Sequence, residues 1–188
     1  EAVAKNITSQ SPDVIALGEA TPISVTNSAG DRVRQYTDLL ELIDDDIPYK
    51  YAASGDYTSG TKLAYNSARL VVLAQGSKIL KKLGSSRRYA VWATFEDRQS
   101  GKRLFVVATH LEPGKGSASN TKYNKARVSQ ARQILALVAD KNPKGHPVVI
   151  AGDLNSSRST KPSNGPYNVF LGGGMVDPLD NAKASWTT

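Results

Sequence analysis

Cysteine is absent from this chain, which excludes disulfides, thiolate nucleophiles, zinc fingers and iron–sulfur clusters together. No apolar run approaches the roughly 20 residues that a membrane-crossing helix needs. Aromatic residues make up only 7%, so composition offers no obvious platform for stacking bases. Histidine occurs twice, as His110 and His146, leaving few side chains able to exchange protons near neutral pH. Acids are also outnumbered: 24 Lys and Arg against 17 Asp and Glu give a net charge of +7. That balance suits an anionic partner such as phosphate, nucleic acid or an acidic membrane surface, although a solvated basic surface is as common.

What is present is a globular composition, with 39% apolar and 22% charged residues in 188. The length fits one domain over residues 1–188. A start at Glu1 without Met reads as a processed or trimmed chain, compatible with a secreted protein. There is no internal repeat and no long linker.

Periodicity alternates between short β runs and amphipathic helices. Residues 2–9 read as the last turns of a helix, and Val14–Leu17 as a buried strand entered from the Ser11-Pro12-Asp13 turn. Asp31 is expected to cap a helix running to about Asp45, stopped by the unfavourable Asp44-Asp45-Asp46 cluster. Residues 62–66, 70–73, 89–95 and 104–109 read as strands, with a hairpin at 97–102 where Gly101 supplies a positive φ. From Asn120 to Asp140 a helical stripe of Val128, Ala131, Ile134, Leu135 and Val138 is flanked by cations, with Arg127 and Arg132 assigned to a solvated face. Val148–Ala151 reads as a strand covered on both faces, followed by a Ser/Gly/Asn/Pro-rich tail with a short helix near 167–171. Helices should cover β layers in a mixed α/β domain.

The informative residues stand where buried strands end. Val14–Leu17 runs into Gly18-Glu19, residues 104–108 into Thr109-His110-Leu111, and Val148–Ala151 into Gly152-Asp153-Leu154-Asn155. Ligands of open α/β sheets collect at such carboxyl ends, and an acid beside an apolar layer is costly unless paired or cation-bound. Glu19 and Asp153 are hard oxygen donors with no soft donor near, which selects Mg²⁺, Mn²⁺ or Ca²⁺. Asp153 and Asn155 share one side of an extended segment, so one could hold a water while the other bonds a phosphoryl oxygen. His110 could protonate a leaving oxygen or donate to phosphate. Taken singly, each has an ordinary explanation: a solvated loop acid, an Asx turn, a satisfied half-buried histidine. Their agreement on one chemistry, metal-assisted phosphoester hydrolysis, is what counts. His146 reads as a structural turn residue. Lys78, Lys81, Lys82, Arg87 and Arg88 form the densest basic stretch, a turn surface by default and a phosphate-contacting patch as the sharper alternative.

Three segments carry a resemblance: Pro12-Asp13-Val14-Ile15-Ala16-Leu17-Gly18-Glu19, the pair 88–93 and Val107-Ala108-Thr109-His110-Leu111, and Ala151-Gly152-Asp153-Leu154-Asn155. In order and spacing the chain resembles the endonuclease/exonuclease/phosphatase superfamily, best known for the DNase I-like fold. The resemblance implies a four-layer αββα sandwich of two mixed β-sheets flanked by helices. It also implies divalent-metal-dependent cleavage of phosphodiesters or phosphomonoesters, nucleic acid among them. It would make Glu19 a metal ligand, His110 the phosphate-contacting or acid histidine, Asp153 the group orienting the attacking water, and Asn155 a phosphate contact or a support for Asp153. Asp56 would be a candidate partner for His110.

The chain also departs from the family's pattern. Gly18 stands where the family commonly has Gln. The family's opening Asn-bearing strand, and its closing Arg-Ile-Asp and Ser-Asp-His segments, are not found in residues 1–188. The expectation is therefore a fold incomplete at both ends, with bare strand edges. The alternative function is a non-catalytic module that keeps the sandwich and binds nucleic acid or protein. Recognition is expected from loops 20–30, 52–61, 112–120 and 156–165, which leave the substrate open.

Overall fold

A computed structural model describes residues 2–20, 24–43, 47–85, 87–114, 121–156, 160 and 164–181. In chain order the elements are α1 (Ala2–Gln10), β1 (Val14–Leu17), β2 (Ser24–Thr26), β3 (Arg32–Arg34), α2 (Gln35–Leu42), β4 (Tyr49–Ala52), β5 (Lys62–Asn66), β6 (Leu70–Leu80), β7 (Arg88–Asp97), β8 (Arg103–His110), α3 (Thr121–Lys141), β9 (Val148–Asp153), α4 (Gly165–Gly172) and α5 (Pro178–Asn181). One sheet has the order β1-β5-β4, a second β6-β7-β8-β9, and β2 with β3 forms a separate hairpin.

The period-2 alternation of the strands sorts their side chains into three cores. From β1, Val14 and Ala16 face the larger sheet and pack with Val91, Ala93, Phe95, Val106 and Ala108. The intervening Ile15 and Leu17 face the opposite way, toward Ala4, Leu39 and Ile43 of the α1/α2 side. On the larger sheet Ala90, Trp92, Phe105 and Val107 alternate with the inter-sheet set and meet Ala131, Ile134, Leu137 and Phe170. Helix, sheet, sheet and helix thus follow one another, the expected αββα sandwich. Phe95 and Phe105 are fully buried in the two cores of the larger sheet, each burial stabilising by about 2–3 kcal/mol.

Several expectations need correcting. Asp31 caps no helix: it belongs to the β2–β3 hairpin, where the Asn27 side chain accepts from the backbone N–H groups of Ala29 and Asp31. The helix starts at Gln35, and Asp38 accepts from the Arg34 backbone N–H at its entrance. Val33, inside the span expected to be helical, is a strand residue. The strand expected over 70–73 continues to Leu80, through an irregularity between Val72 and Ala74 that shifts its register. Small and polar residues at Ala74–Ser77 hid that continuation. β9 is not covered on both faces, since Val149 is 48% exposed; an apolar run reports composition, not what lies over it. Among the described strands the two sheets differ: the larger is mixed, because β8 and β9 are parallel, while β1, β5 and β4 pair antiparallel rather than in the expected mixed fashion. Asp44–Asp46 and residues 115–120 lie outside the described residues.

The β8–β9 pairing sets His110 directly opposite Asp153 and Thr109 opposite Gly152. Gly152 has φ +127, and a Cβ built there would sit 1.9 Å from the Thr109 carbonyl oxygen. Only glycine fits this close approach. Gly152→Ala is expected to destabilise the protein by roughly 3 kcal/mol or more, read as a lower urea midpoint at unchanged slope.

Candidate functional site

β1, β8 and β9 end at the same rim, and they bring their terminal side chains together. His110 is almost fully buried, while Asp153 beside it has a side chain 61% exposed. The His110 Nε2 lies 3.8 Å from Asp153 Oδ2: an electrostatic contact, longer than a hydrogen bond. The other ring nitrogen faces β1, where a Cβ on Gly18 would come 3.5 Å from His110 Nδ1. Glu19 follows in an exposed left-handed conformation, φ 57. It is wedged by the loop before β5, since a Cβ on Gly60 would fall 2.8 Å from Glu19 Cα.

Asp153 is held rather than free. Its Oδ1 accepts from the Asn155 backbone N–H at 2.7 Å, an Asx turn made possible by Asn155 at φ 48. The Asn155 side-chain amide donates to the Leu111 carbonyl at 3.0 Å, and the Leu111 N–H donates to the Asp153 carbonyl at 2.9 Å. The Asp-x-Asn segment is therefore tied to the strand that carries His110, with Asp153 Oδ2 left facing the histidine and solvent. The Asx turn of the ordinary explanation is real, and it orients the acid.

Behind His110 lies a buried polar layer that period reading assigned to solvent. Arg127 is 7% exposed, not part of a solvated face. Its Nη1 donates to the Glu112 carbonyl at 3.0 Å, and Gln130 accepts from the Glu112 N–H at 2.9 Å. The Gln130 amide in turn donates to the Lys81 carbonyl at 2.7 Å. Two α3 side chains one turn apart thus satisfy both backbone groups of the residue two beyond His110. Arg88 stands 3.9 Å from the buried Glu112 carboxylate. A signal for this layer was available: Arg127 and Gln130 fall on the stripe of Ala131 and Ile134, where a polar group must be bonded.

Burial, followed by the Arg88 charge, holds the His110 imidazole below the usual histidine range, against the opposing pull of Asp153, Glu19 and Glu112. Asp56 is not among the charges acting on His110; it lies instead near Lys62, whose ammonium burial pushes down. His146 is structural, bracketed by the Asn142 side chain. Among the described residues no group of three His, Asp or Glu side chains converges as a ready-made metal cage.

His110 is neutral in the folded state at pH values where an unfolded chain's histidine is already protonated. Stability should therefore fall as pH drops from about 6.5 toward the depressed folded value, and be unaffected by this group above that window. Arg88→Met should raise the His110 midpoint in an NMR titration; an unchanged midpoint would refute the Arg88 contribution.

No curated protein sequence matches the chain. Solved structures do. An endonuclease/exonuclease/phosphatase family protein from Bacteroides thetaiotaomicron aligns with a TM-score of 0.68 at 16% identity, covering 92% of this chain and 58% of its own. A mannosyl-6-phosphatase from the same organism gives 0.66 at 16% identity, covering 92% and 61%. TDP2 from D. rerio, complexed with a single-strand DNA product, gives 0.59 at 21% identity, covering 89% and 56%. At these identities the likeness is one of fold. The chain spans about three-fifths of the length of the solved structures it matches. A model of the Endonuclease/Exonuclease/phosphatase family matches residues 1–181. With the sandwich already in place, that match leaves one conclusion: the chain belongs to the endonuclease/exonuclease/phosphatase family.

Proposed function

We propose that this chain carries a divalent-cation-dependent site for phosphoester hydrolysis, built on Glu19, His110, Asp153 and Asn155. The observation that carries the reading is the His110–Asp153 pair at the shared end of β8 and β9, with Glu19 close enough to act on the same histidine. Family membership supports the reaction class.

The donor set fits a hard cation. Glu19 is an exposed carboxylate, and the chain has no thiolate. Mg²⁺ is commonly bound through one or two carboxylates with water completing its shell; Mn²⁺ or Ca²⁺ would accept the same oxygens. Glu19 would hold the ion, which when bound supplies charge neutralisation at a phosphoryl oxygen.

The remaining steps belong to the side chains. Asp153, fixed through Oδ1, would present Oδ2 to a water and accept its proton during in-line attack. Asn155 would brace Asp153 through the bond from its amide to the Leu111 carbonyl, with a second amide N–H and the amide oxygen left for a phosphoryl group or water. His110 would offer an N–H to a phosphoryl or leaving oxygen; buried and neutral, it serves as a hydrogen-bond donor more readily than as a strong acid.

Hydrolysis of bis(p-nitrophenyl) phosphate, with Mg²⁺ and with chelator, tests this. Asp153→Asn should lower turnover by roughly 10²–10⁴ without altering the folded-state circular dichroism, and Glu19→Gln should raise the Mg²⁺ concentration needed. Near-full turnover in Asp153→Asn would end the assignment. Salt-sensitive binding to nucleic acid without any turnover would favour the non-catalytic module instead.

A further inference from the structure

The register of β8 with β9 ends at the pair His110 and Asp153. Beyond the ladder, the histidine depends on the two residues that follow it, Leu111 and Glu112. Each of their backbone polar groups is bonded. The Leu111 N–H donates to the Asp153 carbonyl, and the Leu111 carbonyl accepts from the Asn155 amide, which fastens this residue to the segment carrying the acid. The Glu112 N–H donates to Gln130 Oε1, and the Glu112 carbonyl accepts from Arg127 Nη1, which fastens the next residue to α3. The helix is a firm anchor: Ala131, Ile134 and Leu137 seat it in one core with Trp92, Phe105 and Val107 of the larger sheet.

Stability alone does not account for this layer. A neutral donor would satisfy the Glu112 carbonyl, whereas a buried guanidinium is costly to desolvate. The layer is also incompletely bonded: among the described residues Arg88 Nε, Arg127 Nε and Glu112 Oε2 are buried with no hydrogen-bond partner. Polar groups left this way cost stability, and well-packed apolar side chains often replace a buried charged set without loss. What the layer does hold is the stretch of backbone between the histidine and the helix.

We infer that Arg127 and Gln130 are positioning residues for hydrolysis at the proposed site: from α3 they hold Glu112, and through Leu111 they set His110 and the Asp153–Asn155 segment relative to one another. The inference rests on the catalytic reading of His110 and Asp153. Neither α3 side chain touches the reacting phosphate in this role. A misplacement of about 1 Å, caused far from the chemistry, can cost roughly 10²-fold in rate. Loss of either tie should therefore appear in kcat, with KM little changed because the substrate-binding side chains themselves remain.

Two readouts test this together: hydrolysis of bis(p-nitrophenyl) phosphate in Mg²⁺, and the imidazole NMR signals of the chain's two histidines. Arg127→Met and Gln130→Met should each lower kcat roughly 10- to 100-fold, with KM within about twofold. Arg127→Lys, which keeps a donor near the Glu112 carbonyl, should recover much of the loss. Ile43→Ala, in the core on the α1/α2 side, should lower the urea midpoint at least as far and leave kcat unchanged. The His110 signals should move or broaden in both Met variants while those of His146 stay in place. Circular dichroism confirms that each variant is folded; should a Met variant fail to fold, Gln130→Asn, with its shorter amide, carries the same readouts. Wild-type kcat in the Met variants, a loss confined to KM, an equal loss of turnover in Ile43→Ala, or His110 signals that do not move would each overturn the inference. A wild-type chain without turnover would instead refute the catalytic proposal, and the His110 signals would then decide by themselves whether α3 positions the imidazole.

Discussion

The parallel pairing of β8 with β9 is the constraint on which the site depends. Parallel strands carry their carboxyl ends to the same edge, so one ladder sets an imidazole and a carboxylate opposite each other. The approach is tight enough that the residue before the carboxylate must be glycine. β1 belongs to the other sheet, and the inter-sheet core of Val14, Ala16, Val106 and Ala108 fixes where its end falls. Apolar packing between sheets, rather than any bond between the polar groups themselves, thus decides that the end of β1 falls beside His110.

That arrangement separates the three side chains by burial. His110 is packed beneath the rim and kept neutral by its surroundings, while Asp153 and Glu19 stand in solvent. An imidazole withdrawn from water is disfavoured in its charged form. The polar layer behind the histidine is costlier: Arg88, Glu112 and Arg127 are withdrawn from water, with the Glu112 backbone held from both sides by α3. Breaking one partner there would strand a buried charge.

Much of this could be read from the chain. Continuous apolar runs in β1, β7 and β8 marked these segments as buried strands, and the abrupt change from apolar run to Glu19, His110 and Asp153 marked their shared end. What escaped were features set by distant contacts. β4 and the β2–β3 hairpin are short and polar in part, so local composition could not separate them from loops. Asp31 has the chemistry of a helix cap, but the Asn27 turn used it first. Arg127 has the look of a surface cation until Glu112 is seen beneath it.

Gln130 has a wider reach than its single side chain suggests. One end answers the amide beside the histidine strand and the other answers Lys81, the first residue past β6. The amide works as a tie between the end of β6 and the backbone just past β8. A displacement at Lys81 would therefore reach Glu112, two residues past the histidine, through a single side chain.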